Sequence, residues 1–141
     1  MKSSDDISIR SAEPGDLQAL SDFLAPFVAD GKILRRNLSE LESLIDQYSI
    51  AISDSKIVGS VVLEVYSPKL GEIRSLAVSN DYQGRGIGRM LVNACLEQAR
   101  EKGVFEVMAI TSQDSFFQSC GFDYTLPGEK KALFYLTRPS M

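Results

Sequence analysis

The amino-acid sequence predicts an α/β fold, in which helices and a mixed β-sheet form a sandwich. The chain has 141 residues, which suits one domain of ordinary size. Apolar residues make up 44% and charged residues 24%, so the chain can bury a core. A strand, a glycine-rich loop, a helix and a second strand follow one another between residues 72 and 110. Because such a crossover unit joins parallel strands, we expect a single α/β domain over residues 1–141.

The first half of the chain is predicted to alternate short strands and helices. Pro14 suits the first turn of a helix, whereas Pro26 is expected to disturb that helix near its end. Ser39 followed by Glu42 has the spacing of a capping box, and residues 54–55 separate two β-rich runs as a hairpin turn does. The predicted elements are a strand at 7–10, a helix opening at 13–16, a short helix at 40–46, and strands at 48–53 and 56–66.

The second half contains the crossover unit and a shorter closing region. Gly103 ends the long helix of the unit, whose inner face carries Ile87, Leu91, Ala94 and Cys95. The predicted elements are a strand at 72–78, a helix from 87 to about 102, an apolar strand at 104–110, a short helix at 116–119 and a strand at 132–136. Together these elements complete the predicted sandwich.

Histidine is absent from the sequence, and this absence excludes several kinds of catalytic site. The chain by itself cannot form a Ser-His-Asp or Cys-His nucleophilic site, or a histidine-ligated metal site. Its two cysteines, Cys95 and Cys120, are too few for a thiolate zinc site, so no metal is expected. If the protein is an enzyme, its proton chemistry must use carboxylates, Tyr, Lys, Cys or water.

The charge balance and the apolar stretches indicate the expected partners and location. The 15 basic and 19 acidic residues give a net charge of −4 and a pI near 4.8, so nucleic acid is not an expected partner. Residues 1–6 are polar and acidic, unlike a signal peptide, and the apolar stretch at 57–65 is too short to span a bilayer. Two unpatterned cysteines fit a reducing compartment. We therefore expect a cytoplasmic protein with no membrane partner.

Three glycines at alternate positions, Gly84, Gly86 and Gly88, lie between a predicted strand and a predicted helix. Such a loop can turn its backbone N–H groups toward an anion at the positive end of the helix dipole. The loop lacks the Lys-Ser or Lys-Thr of a nucleoside-triphosphate loop and the glycine spacing of a dinucleotide fingerprint. A turn that merely starts a helix is the alternative. Arg85 and Arg89 supply positive charge, which favours a pyrophosphate site.

The loop reads Gln-Gly-Arg-Gly-Ile-Gly over residues 83–88, follows Leu-Ala-Val at 76–78, and precedes Phe117 and a Gly-Phe pair at 121–122. This pattern resembles the GCN5-related N-acetyltransferase (GNAT) family. The resemblance implies a GNAT-like α/β sandwich with a mixed, partly splayed central sheet, and acetyl-CoA as co-substrate. It implies that the pantetheine arm lies between residues 76–78 and 104–110. The cofactor-binding residues that it implies are Leu76, Ala77, Val78, Gln83, Gly84, Arg85, Gly86, Ile87, Gly88 and Arg89.

Acetyl transfer to an amine requires a free lone pair, so an ammonium substrate must lose a proton near the thioester. Strict alternation along the strand at 72–78 places Glu72, Arg74, Leu76 and Val78 on one face. Glu72 stands where several family members carry a base, so the resemblance implies Glu72 as the catalytic base, acting directly or through water. The alternative is a surface pair of Glu72 with Arg74, which makes Glu72 a weaker base.

Phe117 replaces the tyrosine that often protonates the departing thiolate in this family. Tyr124 and Tyr135 are candidate substitutes, although CoA thiolate is also a good leaving group. Cys120 as an acetylated nucleophile is a further option. Without a histidine to activate it, a buried structural thiol is the preferred interpretation.

Residues 31–36, the run 71–78 and a closing segment from Leu126-Pro127 to residue 140 are similar to the acetyltransferase domain of N-acetylglutamate synthases. Phe117 is also usual there. The resemblance implies transfer to the α-amino group of an amino acid, with glutamate the expected acceptor and arginine biosynthesis the expected pathway. Guanidinium groups suit such an acceptor, because they bind carboxylates bidentately. The substrate-binding residues implied are Leu34 through its backbone, Arg36, Arg138 and Ser140.

Two departures from that domain leave alternatives open. Some synthases carry a basic residue where this chain has Glu64, and an acidic side chain there favours a cationic acceptor. The enzyme alternative is therefore a GNAT acetyltransferase for a polyamine, an antibiotic or a protein N-terminus. The missing tyrosine and histidine also allow a non-catalytic acetyl-CoA sensor. The chain has no amino-acid-kinase-like domain, and its oligomeric state is left open, with a homodimer as one option.

Overall fold

The computed structural model of the protein describes residues 6–124, 128 and 133–137, in two compact units that divide after residue 111. The second unit includes helix α4 (Asp114–Ser119), and no described helix is both long enough and apolar enough to cross a membrane. The first unit contains strands β1 (Ser8–Ser11), β2 (Tyr48–Ser53), β3 (Lys56–Ser67), β4 (Leu70–Val78) and β5 (Glu106–Met108), and helices α1 (Leu17–Ala29), α2 (Leu38–Leu44) and α3 (Ile87–Glu101).

The five strands form one sheet in the order β1-β2-β3-β4-β5. Neighbouring strands from β1 to β4 pair antiparallel, whereas β4 and β5 pair in parallel, so the predicted mixed sheet and parallel crossover are confirmed. The parallel pairing joins only residues 70–72 to residues 106–108, and the strand predicted at 104–110 is therefore shorter than expected. Within the described chain, residues 73–78 of β4 have no partner on β5. The sheet is thus open along this edge, as the predicted splayed sheet requires.

A β-bulge in β4 changes which side chains share a face of the sheet. Between residues 74 and 77, three steps along β4 oppose two steps along β3. Ser75, inside the bulge, has a φ of +54°. Because paired residues point to the same side, Ala77 rather than Val78 lies on the face of Glu72. The strict alternation predicted for this strand is therefore wrong beyond residue 74, since one extra residue reverses the period.

Helices α1 and α2 pack on one face of the sheet. Leu20 and Leu24 of α1 and Leu41 of α2 pack with Tyr48 and Val62 of the sheet, and all five side chains are buried. Burial of large apolar side chains of this kind contributes about 1.5–3 kcal/mol each. These contacts therefore fix α1 and the chain that follows it against β2 and β3.

Helix α3 packs on the opposite face, where a glycine lets it come close. A Cβ at Gly59 would lie 3.0 Å from Leu91 Cδ1, so this position of β3 has no room for a side chain. Ile87, Leu91 and Cys95 are buried on the inner face predicted for the helix, and Ala94 is half-buried there. Since α3 begins at the glycine loop, this packing holds the loop at the end of β4.

Two details of the predicted helices differ in the structure. Pro26 lies inside α1, which continues to Ala29. The capping box of α2 is formed by Asn37 and Glu40, whose side chains each accept a hydrogen bond from the other's backbone N–H. The helix therefore begins two residues earlier than the box predicted from Ser39, because asparagine is an equally good N-cap.

In the second unit, α4 is the short helix predicted near residues 116–119. Phe117 is buried, and its ring packs edge-on against Phe116 and Phe122, with centroids 5.1 and 5.3 Å away. Residues 133–136 adopt no regular secondary structure, and residue 132 lies outside the described residues. The closing strand predicted at 132–136 is therefore wrong for its described part.

Candidate active site

The glycine loop forms a backbone cradle at the start of α3. Gly84 and Gly86 both have a φ of +80°, a left-handed conformation that residues with a Cβ rarely adopt. Gly86 is the N-cap of α3, so no capping side chain covers the first backbone N–H groups of the helix. A Cβ at either glycine would meet nothing within 4 Å, which means that the space over the loop is open. The loop thus offers backbone donors and a positive helix end to an anion.

Polar side chains fix the shape of this cradle. The Arg85 guanidinium lies over the Tyr82 ring, 4.9 Å from its centroid, and donates to the carbonyl oxygen of Asp81 at 3.2 Å. Gln83 Nε2 donates to the carbonyl oxygen of Val78 at 3.3 Å, which ties the loop to the end of β4. The loop is therefore held at both sides before any ligand binds.

The other residues predicted to bind CoA lie next to the cradle. Ile87, Gly88 and Arg89 form the first turn of α3, and Ile87 is buried. Residues 76–78 form the last part of β4, along the edge that β5 leaves free. The structure brings all ten predicted residues into one stretch, which runs from the free sheet edge to the helix start.

Two carboxylates face each other across β3 and β4. Glu64 and Glu72 occupy paired register positions, where like charges repel, so each carboxylate needs a partner of its own. Arg36 Nη1 and Arg74 Nη1 donate to Glu64 at 3.3 and 3.2 Å. The Tyr66 hydroxyl donates to Glu72 Oε1 at 2.6 Å. The two facing carboxylates therefore have different surroundings, one bound by cations and the other by a neutral hydroxyl.

The structure does not support a surface pair of Glu72 with Arg74. Glu72 is only 8% exposed, and within the described residues it makes no ion pair, because Arg74 bonds Glu64 instead. The pKa of Tyr66 is raised by partial burial, and further by its hydrogen bond to Glu72 and by the nearby negative charges, although a hydrogen bond with Arg74 opposes the shift. Tyr66 therefore remains a neutral hydrogen-bond donor at neutral pH.

A cavity of about 480 Å³ opens between α1, the chain at residues 33–38 and the sheet. Its wall is mostly apolar on the α1 side and carries Arg36, Tyr48 and Ser75 among its polar groups. Strict alternation would have placed Ser75 on the other face of the sheet, so the bulge brings this residue into the cavity. Apolar walls with a few polar groups are the usual form of a small-molecule site.

Two polar atoms in the cavity wall, one on Arg36 and one on Tyr48, have no hydrogen-bond partner among the described residues. The Arg36 side chain is 12% exposed, and its Nε is buried without a hydrogen bond, as is the Tyr48 hydroxyl. Burial raises the pKa of Tyr48, although the Ser75 side chain and the Arg36 charge oppose that shift. A buried polar group without a partner costs on the order of 1–3 kcal/mol. The cavity therefore suits a ligand that brings a hydrogen-bond acceptor to Arg36.

The predicted acceptor residues are only partly within the described structure. Arg36 and Leu34 line the cavity, Leu34 with an exposed side chain. Arg138 and Ser140 lie outside the described residues, as do residues 126–127 and 130–131 of the predicted closing segment.

The sequence interpretation missed Tyr48, Tyr66 and Ser75. Tyr66 carried a usable signal, because it stands two residues after Glu64 on the same predicted strand. Tyr48 gave none, since a strand tyrosine at the edge of a core is ordinary.

The other candidate catalytic groups have different surroundings. The Tyr124 hydroxyl donates a hydrogen bond to Asp114, and Tyr135 is 89% exposed. Cys120 is half-buried, while burial raises the pKa of the Cys95 thiol to about 12. Among the described residues, no group of three or more His, Cys, Asp or Glu side chains could hold a metal ion.

The protein-family comparison decides the family. The model of the Acetyltransferase (GNAT) family matches residues 18–122, a span that contains the glycine loop, β4 and the whole cavity wall. The chain belongs to the GNAT acetyltransferase family. The family resemblance predicted from residues 83–88 is thereby confirmed, and this GNAT chain is an N-acetyltransferase of the acetyl-CoA-dependent type.

Curated relatives of this GNAT chain include amino-acid acetyltransferases. An uncharacterized N-acetyltransferase of Chlorobaculum tepidum is 32% identical over 117 residues, which cover 83% of this chain and 76% of that protein. The amino-acid acetyltransferase of Proteus mirabilis is 30% identical over 138 residues, or 94% of this chain and 31% of that protein. The chain therefore spans about a third of the length of the amino-acid acetyltransferases that it matches.

Solved structures give the same fold. The N-acetylglutamate synthase of Neisseria gonorrhoeae, complexed with coenzyme A and N-acetyl-glutamate, has a TM-score of 0.74 and 30% identity over 80% of this chain and 27% of that one. Rv2747 of Mycobacterium tuberculosis, in complex with CoA, has a TM-score of 0.77 and 29% identity over 89% of this chain and 76% of that one. Both neighbours bind CoA, and the GNAT fold is confirmed.

Proposed function

We propose that this GNAT enzyme transfers acetyl from acetyl-CoA to the α-amino group of an amino acid, most specifically L-glutamate. The observation that carries the proposal is Arg36, which is nearly buried in the cavity wall with an Nε that lacks an acceptor. A substrate carboxylate meets that need, because guanidinium groups bind carboxylates through strong, charge-assisted hydrogen bonds. The matches to amino-acid acetyltransferases and to N-acetylglutamate synthase support the same acceptor.

The residues around the glycine loop fit CoA. Gly84 and Gly86 leave open the space that a Cβ would fill, so a pyrophosphate can approach the N–H groups of residues 83–88. Arg85 and Arg89 add positive charge there. Residues 76–78 have main-chain groups that β5 does not pair, and these can bind the pantetheine arm. When bound, acetyl-CoA supplies the acetyl group as an activated thioester.

Glu72 is the proposed general base. The acceptor enters as an ammonium and must give up a proton before its nitrogen has a lone pair for attack. The Glu72 carboxylate is nearly buried and has no cation bonded to it within the described residues, so it can take that proton directly or through one water. Arg36 holds the acceptor through its carboxylate, which keeps the amine in one orientation. Arg138 and Ser140 are proposed as further carboxylate ligands.

The product would be N-acetylglutamate, so the protein would act in arginine biosynthesis in the cytoplasm. A homodimer stays a prediction.

Release of free thiol from acetyl-CoA, measured with one amine at a time, tests the proposal. We expect turnover with glutamate and a product acetylated on its α-amino group, as identified by mass spectrometry. Polyamines and aminoglycosides are expected to give little thiol. Turnover with cationic amines alone would contradict the acceptor, and acetyl-CoA binding without turnover on any amine would identify a sensor instead.

A cationic amine is the second candidate acceptor, because Glu64 lies beside the cavity residue Arg36. An aminoglycoside acetyltransferase from an uncultured soil metagenomic sample, solved with sisomicin, has a TM-score of 0.67 and 25% identity over 96% of this chain and 98% of that one. Two guanidinium groups already bond Glu64 in this chain, so little of its charge is left to attract a cation. That compensation favours the amino-acid acceptor.

A further inference from the structure

We propose that Glu64 is a positioning residue, which binds Arg36 and Arg74 and so keeps these guanidinium groups from forming an ion pair with Glu72. The inference rests on the proposed function, because it gives Glu64 the task of keeping Glu72 able to accept a proton. Glu64 acts only through these other side chains. Glu64, which stands where some N-acetylglutamate synthases have a basic residue, thus contributes to the reaction.

Sheet geometry alone would let Arg74 bond Glu72. The two residues are two positions apart on β4, ahead of the bulge, so their side chains lie on the same face. A guanidinium within about 4–6 Å of a carboxylate favours its charged form, typically by one to three pKa units, and makes it a poorer base. In the structure, Arg74 Nη1 lies 3.2 Å from Glu64 Oε2 instead. Arg74 therefore makes its ion pair with Glu64, although its charge and that of Glu72 still interact and the Glu72 charge raises the pKa of Arg74.

Glu64 uses a different oxygen for each guanidinium. Its Oε1 lies 3.3 Å from Arg36 Nη1, and its Oε2 bonds Arg74. The Glu64 side chain is 15% exposed, so solvent and salt screen these pairs less than they screen surface pairs. Because Glu64 faces Glu72 across the strand pair, both cations are drawn to the β3 side of the cluster. Glu72 is left with the neutral hydroxyl of Tyr66.

Arg35 of the segment before α2 also lines the cavity, with an exposed side chain, and among the described residues it forms no ion pair with Glu72. On the β5 side, the register partner of Glu72 is Met108, and Glu106 two residues earlier is exposed. Helices α1 and α2 put no titratable side chain into the cavity wall. The described titratable or charged groups that face Glu72 are Glu64 and Tyr66 of β3 and Arg74 of β4, while Arg36 of the segment before α2 and Tyr48 of β2 lie beside Glu64.

The pH dependence of kcat/KM for glutamate tests the proposal. In Glu64→Gln, Arg74 loses its anionic partner and is free to bond Glu72, so we expect the acid limb of the profile to move to lower pH by about one unit. Loss of the Glu64 charge acts in the same direction, and the double variant E64Q/R74Q separates the two effects. We expect the limb of the double variant to return toward the wild-type position. An unmoved limb in E64Q, or an equal shift in the double variant, overturns the proposal.

Two further variants are controls for the pH profile of E64Q. Glu64→Asp keeps a carboxylate for both guanidinium groups and is expected to keep the wild-type limb, which shows that a shift in E64Q is not a folding defect. Asp16→Asn breaks a different arginine–carboxylate pair, in which Arg10 Nη1 lies 2.8 Å from Asp16, and is expected to leave the limb unmoved. A shift in either variant also overturns the proposal.

Failure of the proposed function looks different from failure of this inference. If no amino acid is acetylated, the proposed function falls and this inference falls with it. If glutamate is acetylated but Glu72→Gln has the pH profile of the wild type, Glu72 is not the base, so this inference falls while the acceptor assignment stands. If turnover persists and Glu72→Gln flattens the acid limb, the proposed base stands, and the Glu64 variants alone decide the inference.

Discussion

The Tyr66 hydroxyl donates a 2.6 Å hydrogen bond to Glu72 Oε1, the one hydrogen bond of this carboxylate within the described residues. A second register shift between β3 and β4, at residues 65–67, lies where Tyr66 stands. Hydrogen bonds to a charged carboxylate favour the charged form. Replacement of Tyr66 by Phe would therefore remove the one described hydrogen bond of the proposed base.

Tyr66→Phe is expected to move the acid limb of kcat/KM for glutamate to higher pH, by about half a unit to one unit. The direction follows because the variant removes a donor that stabilises the charged form of Glu72. The pKa of Tyr66 is itself raised, so its own ionisation does not overlap the acid limb. The measurement is a pH–rate profile of each variant, taken at low glutamate concentration.

Tyr124→Phe is the matched control, because the Tyr124 hydroxyl also donates to a carboxylate, that of Asp114 in the second unit. We expect its profile to coincide with that of the wild type. If Tyr66→Phe gives the wild-type profile as well, the contact with Glu72 has no effect on catalysis. A change in maximal rate without a pH shift would indicate a packing role for Tyr66.

Arg36→Ala is expected to raise the KM for glutamate by about 10- to 100-fold, since a hydrogen bond to a charged group is worth about 1.5–3 kcal/mol. Arg36 lines the cavity beside α1, whereas the glycine loop begins α3, so CoA affinity should not change. Arg36→Lys keeps the charge but not the planar fork, and only part of the affinity should return. Initial-rate kinetics and calorimetric titration with CoA check both parts.

Arg10→Ala is the control for the loss of an arginine, because Arg10 forms an exposed pair with Asp16. It should change neither constant. An Arg36→Ala variant that loses glutamate and CoA binding together, with a lowered melting temperature, would indicate a folding defect. Unchanged KM for glutamate would remove Arg36 from the acceptor site.

The parts of the site that the sequence predicted are local in the chain. Gly84 and Gly86 need a positive φ within one short loop, and the order of strand, loop and helix follows from neighbouring residues. The bulge at Ser75 is a property of the pairing between β3 and β4, and no pattern within β4 reports it. Strict alternation therefore predicted the wrong face for Ala77.

The sequence also could not predict contacts between residues that are far apart in the chain. Glu64 bonds Arg36, 28 positions away, because the segment before α2 lies against the sheet. The sequence placed both residues near the acceptor but gave no reason to pair them. Only the folded arrangement shows that the acidic Glu64, which favoured a cationic substrate from sequence, is bonded by two arginines.

Burial of Cys95 predicts a loss of stability at alkaline pH. Its pKa is about 12 in the folded protein against an ordinary value of 9.0. Above pH 9.0 the thiol ionises in the unfolded state but keeps its proton in the folded state. The free energy of unfolding therefore includes the full contribution of the protonated thiol below pH 9.0 and loses it as the pH rises toward 12. In this range the free energy of unfolding should fall by about 1.4 kcal/mol per pH unit. Urea unfolding between pH 8 and 11 measures it.

Cys95→Ala provides the comparison, because alanine has no proton to lose. Its free energy of unfolding should fall less steeply with pH, whatever its value at pH 8. Parallel curves for the two proteins would contradict the buried-thiol assignment. Cys120, which is half-buried, should react with a thiol reagent in the folded protein, whereas Cys95 should react only after unfolding.

The two ends of α3 offer a matched test of the glycine cradle. Gly86 precedes the helix with a φ of +80°, and Gly103 follows it with a φ of +71°. At each position, a Cβ would meet nothing within 4 Å, so alanine costs only backbone strain, on the order of 1–2 kcal/mol. We expect Gly86→Ala and Gly103→Ala to lower the melting temperature by similar amounts. Only Gly86→Ala should weaken CoA binding, because its Cβ occupies the space proposed for the pyrophosphate. We expect a loss of affinity of tenfold or more, which corresponds to about 1.4 kcal/mol. Equal CoA affinities for the two variants would place the pyrophosphate away from this loop.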